Sequence, residues 1–318
     1  MKKIAFVLFL ATWSLLATAQ NDPFFSHYMF NPASFNPSLL AQSTTASVAL
    51  QHRSQWLGYN SSFDGDGGAP STQAFSLIIP MSSALSGFGL MVVNDNLGPV
   101  GNFSAELPVS FTRLLSNGSK LNFGINPGLL SQTQKFDELR FNDPSDPLNI
   151  GRRETQLNPN LGAGVSYIGA RRLVAGVSVR NILEPSFDFG LDSLENKLPM
   201  TSVGYVGFSR LLSSKLSINP SIITRYDFET VTFDISTIVN YEDLAWAGAS
   251  FRRGEAIILL VGYNFLEDRS LKVGYSIDYI VDERAAKQPT SHEFFVRYNL
   301  PNLVFGGRKQ VKTPRYTF

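Results

Sequence analysis

The 318-residue sequence has no cysteine, few histidines and little charge. Without cysteine there can be no disulfide framework, thiolate metal site or cysteine nucleophile. The histidines, His27, His52 and His292, lie far apart in the chain, so most metal and acid–base arrangements lack their ligands. Charged residues make up 17% of the chain, against about 25% in an ordinary soluble domain. A membrane protein is therefore the first class to consider.

Neither sign of charge is in excess, because 27 Lys and Arg residues face 26 Asp and Glu residues. Nucleic acid is not an expected partner, since its recognition needs a basic surface. The sequence contains no His-Glu-x-x-His, phosphate-binding glycine loop or Gly-x-Ser-x-Gly. Asp64 begins a stretch like a calcium loop, but Phe75 stands where the loop needs its final acid. We expect no enzyme activity, no cofactor and no metal site.

The first residues have the layout of a secretory signal. Lys2 and Lys3 precede an apolar run from Ile4 to Leu16, and small residues follow up to Ala19. The run is shorter than the roughly 20 residues of a spanning helix, so we expect cleavage near Ala19. Beyond the signal no long apolar run exists, the longest being 256–261. If the mature chain crosses a membrane, it must do so as a β-barrel.

Alternation of apolar and polar residues dominates the rest of the chain. Leu121, Phe123 and Ile125 alternate with asparagine and glycine, and the same period of two recurs over 231–239 and 271–279. This period is typical of β-strands that have one apolar and one polar face. A soluble β-sandwich would show the same alternation, so the connections between strands must decide.

The connections favour an outer-membrane barrel. We predict 14 strands, with these bounds: 44–56, 72–80, 86–95, 102–114, 119–131, 159–168, 172–182, 201–212, 216–227, 230–241, 244–253, 256–265, 270–281 and 290–300. Long connections follow odd-numbered strands, at 57–71, 132–158, 183–200 and 282–289, whereas turns after even-numbered strands are short. Outer-membrane barrels sort their loops in this way. The predicted fold is therefore an all-β, transmembrane antiparallel β-barrel of about 14 strands.

Two further patterns concern the surfaces of this barrel. Aromatic residues near strand ends share the apolar face and are predicted to form interfacial girdles; they are Trp56, Tyr167, Tyr226, Tyr241, Tyr263, Tyr279 and Tyr298. Charged residues on the polar face should point into the lumen; they are Arg53, Arg180, Arg225, Lys272, Arg297, Asp95, Glu106, Asp234, Asp278 and Glu293. Their signs balance, which favours a lumen filled by its own side chains over an ion-selective pore.

The region after the signal has a different character. Residues 22–32 read Asp-Pro-Phe-Phe-Ser-His-Tyr-Met-Phe-Asn-Pro, and an Arg-Ser-Gln-Trp-Leu-Gly block follows at 53–58. With further blocks at 69–73, 246–252 and 273–278, this sequence resembles the PorP/SprF family of type IX secretion system outer-membrane proteins. The resemblance extends over nearly the whole mature chain.

The resemblance implies a barrel in the outer membrane of a Gram-negative bacterium, in contact with its lipid. It would help a secreted surface protein, such as an adhesin or a gliding-related protein, to be exported or anchored. The partner would be engaged through its type IX C-terminal sorting domain, together with other secretion or gliding components. A channel for small hydrophobic solutes is the alternative function, since some fatty acid transporters have 14 strands and an N-terminal plug.

The chain is thus divided into a signal peptide (1–19), an N-terminal periplasmic or plug segment (20–43), the barrel (44–300) and a basic tail (301–318). The N-terminal segment is aromatic and rich in Asn-Pro turns, which suits either a docking peptide or plug, or a tether beneath the barrel. The candidate partner-binding residues are Phe24, Phe25, Tyr28, Met29, Phe30, Arg53 and Trp56.

Overall fold

β-strands follow one another along the chain in the computed structural model, which describes residues 23–59, 68–81, 84–139, 143, 145, 149–169, 172–189, 196–281 and 287–300. The strands are β1 (Ser47–Ser54), β2 (Ser71–Pro80), β3 (Leu85–Leu97), β4 (Val100–Glu106), β5 (Val109–Leu114), β6 (Lys120–Lys135), β7 (Arg153–Ile168), β8 (Leu173–Arg180), β9 (Ser186–Phe187), β10 (Asn196–Lys197), β11 (Thr201–Phe208), β12 (Arg210–Leu211), β13 (Leu216–Tyr226), β14 (Val231–Tyr241), β15 (Ala245–Arg252), β16 (Ala256–Phe265), β17 (Leu271–Ile280) and β18 (Thr290–Asn299).

The wall closes on itself because β1 pairs with β18, from Ser47 opposite Asn299 to Ser54 opposite His292. β4 and β5 together make one wall strand, as do β11 and β12, while β9 and β10 form a separate hairpin. The structure is therefore a closed antiparallel barrel of 14 wall strands, and the predicted fold is confirmed. In the described part of the chain, no helix is long and apolar enough to cross a membrane.

The wall has the two faces that the alternation predicts, but several strands also carry apolar residues on the inner face, and β16 is an example. On β16, Ile257, Leu259 and Val261 point outward and are exposed, as lipid-facing side chains are. The inward residues Ile258 and Leu260 are apolar too, although a polar inner face was predicted for every strand. They are buried because Met29 and Phe30 of the N-terminal segment pack against them from inside the lumen.

Two predicted strand bounds were wrong for physical reasons. The predicted strand 102–114 is interrupted at Leu107 and Pro108, because proline has no N–H for the ladder. The predicted loop 132–158 is much shorter, since β6 runs on to Lys135 and β7 begins at Arg153. This hairpin extends past the apolar band, where outward residues become polar and Thr133 Oγ1 lies 2.9 Å from Thr155 Oγ1. Strands with polar residues on both faces lack the alternation of apolar and polar residues, so the sequence pattern does not predict this part of the hairpin.

The long connections leave one end of the barrel, as predicted, although the connections after β3, β13 and β15 at the same end are short. The long connections follow β1, β6, β8 and β17, and we term this end the long-loop end. Those after β2, β5 and β16 are short and leave the opposite, short-turn end. The signal peptide and the basic tail lie outside the described residues.

The predicted girdle tyrosines lie on the outer face, but Trp56 does not. Tyr226, Tyr241, Tyr263 and Tyr279 are exposed. Trp56 follows the end of β1 and packs against the buried lumen cluster around Trp246, so its assignment to a lipid-facing girdle was wrong. Its backbone at φ 48° turns the chain away from the strand direction, which places the indole over the lumen.

The band of exposed apolar side chains generates a stability prediction. Leu259→Arg places a charge at mid-strand on the lipid face, which should cost roughly 2 to 4 kcal/mol of unfolding free energy. The matched control Thr133→Arg puts the same charge on the outer face beyond the band and should have little effect. Denaturant titration in lipid bilayers measures both, and equal losses for the two variants would contradict the assigned height of the band.

Candidate functional site

The barrel lumen is occupied by the N-terminal segment of the chain, residues 23–46, which we term the plug. It contains three 3₁₀ turns, at Tyr28–Phe30, Pro32–Ser34 and Pro37–Gln42. Its apolar side chains are buried against the inner wall; they include Phe25, Tyr28, Ala33, Phe35, Leu39 and Leu40. Of the two places considered for this segment, the lumen is the one that the structure shows.

The Asn-Pro pairs explain the local shape of the plug. Pro32 and Pro37 each begin a 3₁₀ turn, where a missing N–H costs nothing. The Asn36 side chain accepts a hydrogen bond from Ser38 N at 3.0 Å, which caps the third turn. Gly124 of the wall permits close packing here, since a Cβ at that position would lie 2.3 Å from Ser38 N. The backbone of the plug therefore packs directly against the backbone of the wall at this position.

A cluster of buried charges lies near the long-loop end of the lumen; we term it the charge cluster. Its members are Arg53, Arg225, Arg252, Asp234, Glu255, Asp278 and Glu293. Arg53 Nη1 is 2.6 Å from Asp278 Oδ2, and Arg252 Nε is 3.0 Å from Asp234 Oδ2. Arg225 Nη1 lies 3.4 Å from Asp234 Oδ1. Pairing of this kind is what makes buried charge tolerable.

The plug completes the charge cluster. The backbone N–H groups of Ser26 and His27 donate to the two carboxylate oxygens of Glu293, at 2.6 and 2.9 Å. His27 Nδ1 lies 2.7 Å from Glu293 Oε1, and Ser26 Oγ donates to Asp278 Oδ2 at 2.9 Å. Because three arginines face four carboxylates, these donors satisfy acceptors that the wall alone leaves in excess. The plug is thus held by charge-assisted hydrogen bonds as well as by apolar packing.

Aromatic residues on either side of Ser26 and His27 also hold the plug against the wall. The Arg225 guanidinium lies over the Phe24 ring at 4.0 Å. Phe30 packs between Trp246 and Phe295, with ring centroids 4.4 and 5.5 Å away. The Phe30 carbonyl accepts a hydrogen bond from Arg297 Nη1 at 2.8 Å.

The predicted inward charges all line the lumen, but they do not form one site. Arg53, Arg225, Asp234, Asp278 and Glu293 meet in the charge cluster. Arg180 lies 3.5 Å from Glu106 on another part of the wall. Lys272 and Arg297 lie near the short-turn end, around Phe30, and Asp95 is hydrogen-bonded by Thr72.

The candidate partner-binding residues also separate into groups. Phe24 and Phe25 lie at the long-loop end, whereas Tyr28, Met29 and Phe30 lie deeper and pack against the wall. Arg53 belongs to the charge cluster, and Trp56 packs beside it against the lumen cluster.

Sequence reasoning missed four residues of this site: Ser26, His27, Arg252 and Glu255. Arg252 alternates with outward residues of β15, so its inward position was readable from its parity. Glu255 lies in a tight turn, and Ser26 and His27 lie in the plug, where no strand period applies.

A cavity of about 270 Å³ remains at the long-loop end, beside the plug. Phe24, Phe25, Phe187, Leu198 and Val203 are among its apolar lining residues. Asp95, Glu106, Arg180 and Arg225 add charged groups to its wall. Among the described residues, no group of three or more His, Asp or Glu side chains could hold a metal ion.

The charge cluster generates a second prediction. Arg53→Ala should lower the unfolding free energy by about 3 to 5 kcal/mol, because Asp278 and Glu293 would stay buried with too few partners. His52→Ala is the matched control, since the neighbouring His52 is exposed on the outer face. Denaturant titration of both variants checks the difference; a similarly small loss for Arg53→Ala would mean that the cluster is hydrated.

Comparison with known proteins gives the fold and the family. The Ralstonia pickettii toluene transporter TbuX is 9% identical, with a TM-score of 0.50 over 86% of this chain and 93% of that one. The Pseudomonas aeruginosa FadL homologue is 12% identical, with a TM-score of 0.48 over 84% of this chain and 93% of that one. At such identity the TbuX likeness supports the barrel fold alone, and the search of curated proteins finds no match.

The family model described as type IX secretion system membrane protein PorP/SprF matches residues 17–298. This range contains the plug and all wall strands except the last residue of β18, Asn299. The chain therefore belongs to the PorP/SprF family of type IX secretion system membrane proteins.

Proposed function

We propose that this barrel is an outer-membrane accessory of type IX secretion that binds a secreted surface protein and exports or anchors it through its C-terminal sorting domain. The family match supports the link to type IX secretion. The observation that carries the binding role is the filled lumen: the plug is buried, hydrogen-bonded to the wall and linked to the charge cluster. A barrel whose lumen is filled in this way is a rigid frame for docking.

In this proposal residues 1–19 direct export and are removed near Ala19, 20–43 are the plug segment, 44–300 are the barrel and 301–318 are a basic tail. The long-loop end faces the cell exterior, as in outer-membrane barrels generally. There Phe24, which is partly exposed, and the buried Phe25 line the cavity that a surface partner could enter. Tyr28, Met29 and Phe30 then serve to hold the plug, because they are packed deeper in the lumen.

The orientation can be tested by single-cysteine labelling, which the cysteine-free chain makes direct. Ser145→Cys, in a long connection, should react with an impermeant thiol reagent on intact cells. Asn117→Cys, in an equally exposed short turn, should react only after the outer membrane is opened. The reverse pattern would place the long loops in the periplasm.

The docking role can be tested with two plug variants of similar bulk. Phe24→Ala removes an aromatic ring at the cavity and should reduce co-purification and surface display of the secreted partner at least tenfold, as loss of an interface aromatic commonly does. Phe30→Ala removes a ring that packs between Trp246 and Phe295, nearer the short-turn end. It should lower stability without changing partner recovery.

Recovery of the partner is measured from native membranes after equal amounts of each folded barrel have been confirmed by heat-modifiable gel migration. Identical recovery for wild type and Phe24→Ala would reject docking at this end. Loss of recovery in both variants would show that the plug acts only through barrel stability.

A channel for small hydrophobic solutes is the second candidate. It is favoured by the aromatic cavity at the long-loop end and by the fold shared with TbuX, which is described as a toluene transporter. Uptake of a small aromatic hydrocarbon into proteoliposomes would distinguish the two functions. An anchoring barrel should show no uptake above protein-free vesicles.

A further inference from the structure

The wall strands differ in length around the barrel. β6 and β7 are 16-residue strands, whereas β8, the next neighbour of β7, has only 8 residues. β7 pairs with β6 along its whole length, from Arg153 opposite Lys135 to Ile168 opposite Lys120. It pairs with β8 only from Ala163 to Ile168. Among the described residues, the part of β7 nearest the long-loop end therefore has a ladder partner on one side only.

The pairing pattern shows which backbone groups this leaves free. Gly169 N donates to Leu173 O and Leu161 O accepts from Ile182 N, so odd-numbered residues of β7 direct their N–H and C=O groups toward the β8 side. Arg153, Thr155 and Leu157 have this parity, and within the described residues no backbone partner faces them there. Pro159 also has this parity, and it fits because proline is tolerated where a strand has no neighbour.

The described residues that follow β8, 181–189 and 196–200, do not pair with this edge. Ile182 is the last residue to pair with β7, and the chain then crosses to the inner face. There Gln156 Oε1 accepts from Asp188 N at 3.0 Å, and Asn158 Nδ2 donates to Ser186 O at 2.8 Å. Both side chains belong to even-numbered, inward-facing positions, so they hold this segment inside the rim. The outward residues Thr155, Leu157 and Pro159 stay exposed, Leu157 by 60%.

We infer that the edge of β7 from Arg153 to Pro159 is a docking site for an extended segment of the secreted partner, which adds to the barrel wall as one more strand. Strand addition of this kind uses main-chain hydrogen bonds for affinity and alternate side chains for specificity. Seven residues at about 3.3 Å each give an edge of roughly 20 Å, enough for a short strand.

The surroundings indicate which strand would fit. Leu157 is paired with Ser131 across the hairpin, and its side chain is exposed on the outer face. A residue added beside Leu157 on the outer face should be apolar or β-branched. Thr155 is the next outward position toward the rim, and there a polar or β-branched neighbour fits. Below Pro159 the missing N–H and the start of pairing with β8 end the site, so the added strand must enter from the long-loop end.

This inference rests on the proposed function for the identity of the partner, but its test is separate. The probe is the purified C-terminal sorting domain of the surface protein that co-purifies with the barrel. In the barrel alone, the amides of Thr155 and Leu157 should exchange with deuterium rapidly, while those of Glu154 and Gln156, bonded to β6, should be protected. Addition of the sorting domain should slow exchange at Thr155 and Leu157 at least tenfold.

Proline substitutions test the same hydrogen bonds by binding. Thr155→Pro and Leu157→Pro remove one edge donor each and leave the ladder to β6 intact, so the barrel should fold while affinity for the sorting domain falls at least tenfold. Thr155→Val and Leu157→Ile keep the donors and should bind as the wild type does.

The outcomes separate the two proposals. If wild type binds the sorting domain, Phe24→Ala weakens binding and the proline variants do not, the docking function stands and the strand edge is rejected. If wild type does not bind any sorting domain, the proposed function itself fails. Protection of Thr155 and Leu157 in the barrel alone, rising with its concentration, would assign the edge to a second copy of this chain and overturn the inference.

Discussion

Backbone hydrogen bonding in a medium without water is the constraint on which the structure depends. Inside hydrocarbon each N–H and C=O group must find a partner in the protein, and a sheet meets this demand only by closing. The pairing of β1 with β18 closes the ring, and the outward face of each strand is then free to be apolar. Where β7 extends toward the long-loop end past its pairing with β8, one edge of that strand has no neighbour among the described residues.

Closure of the wall creates a second demand, which the plug meets. Buried Asp278 and Glu293 would cost free energy without hydrogen-bond donors. The two inward apolar positions of β16 would cost free energy if the lumen were filled with water. The plug supplies backbone and imidazole donors to Glu293 at one height and Phe30 against Trp246 at another. The wall and the plug therefore stabilise each other.

The sequence predicted the parts of the structure that are governed by the membrane. Alternation in 121–129 and 231–239 identified the wall strands, because lipid on one side and protein on the other impose a period of two. The alternation did not predict the part of β7 from Arg153 to Asn158, where the outward residues are mostly polar. It also did not predict the inward apolar residues Ile258 and Leu260, which the plug covers. Five of the seven charges of the cluster were assigned to the lumen from parity, but the pairing of Glu293 with His27 depends on a tertiary contact over 266 positions of sequence.

The central claim is that residues 23–46 close the lumen and are fixed there by the charge cluster. The most direct measurement is the ion conductance of the purified barrel reconstituted in planar lipid bilayers. A lumen filled by the plug predicts no steady conductance above that of the protein-free bilayer. A stable, ohmic conductance of the wild-type barrel would contradict the account, because it would show a continuous water path where the structure places the plug.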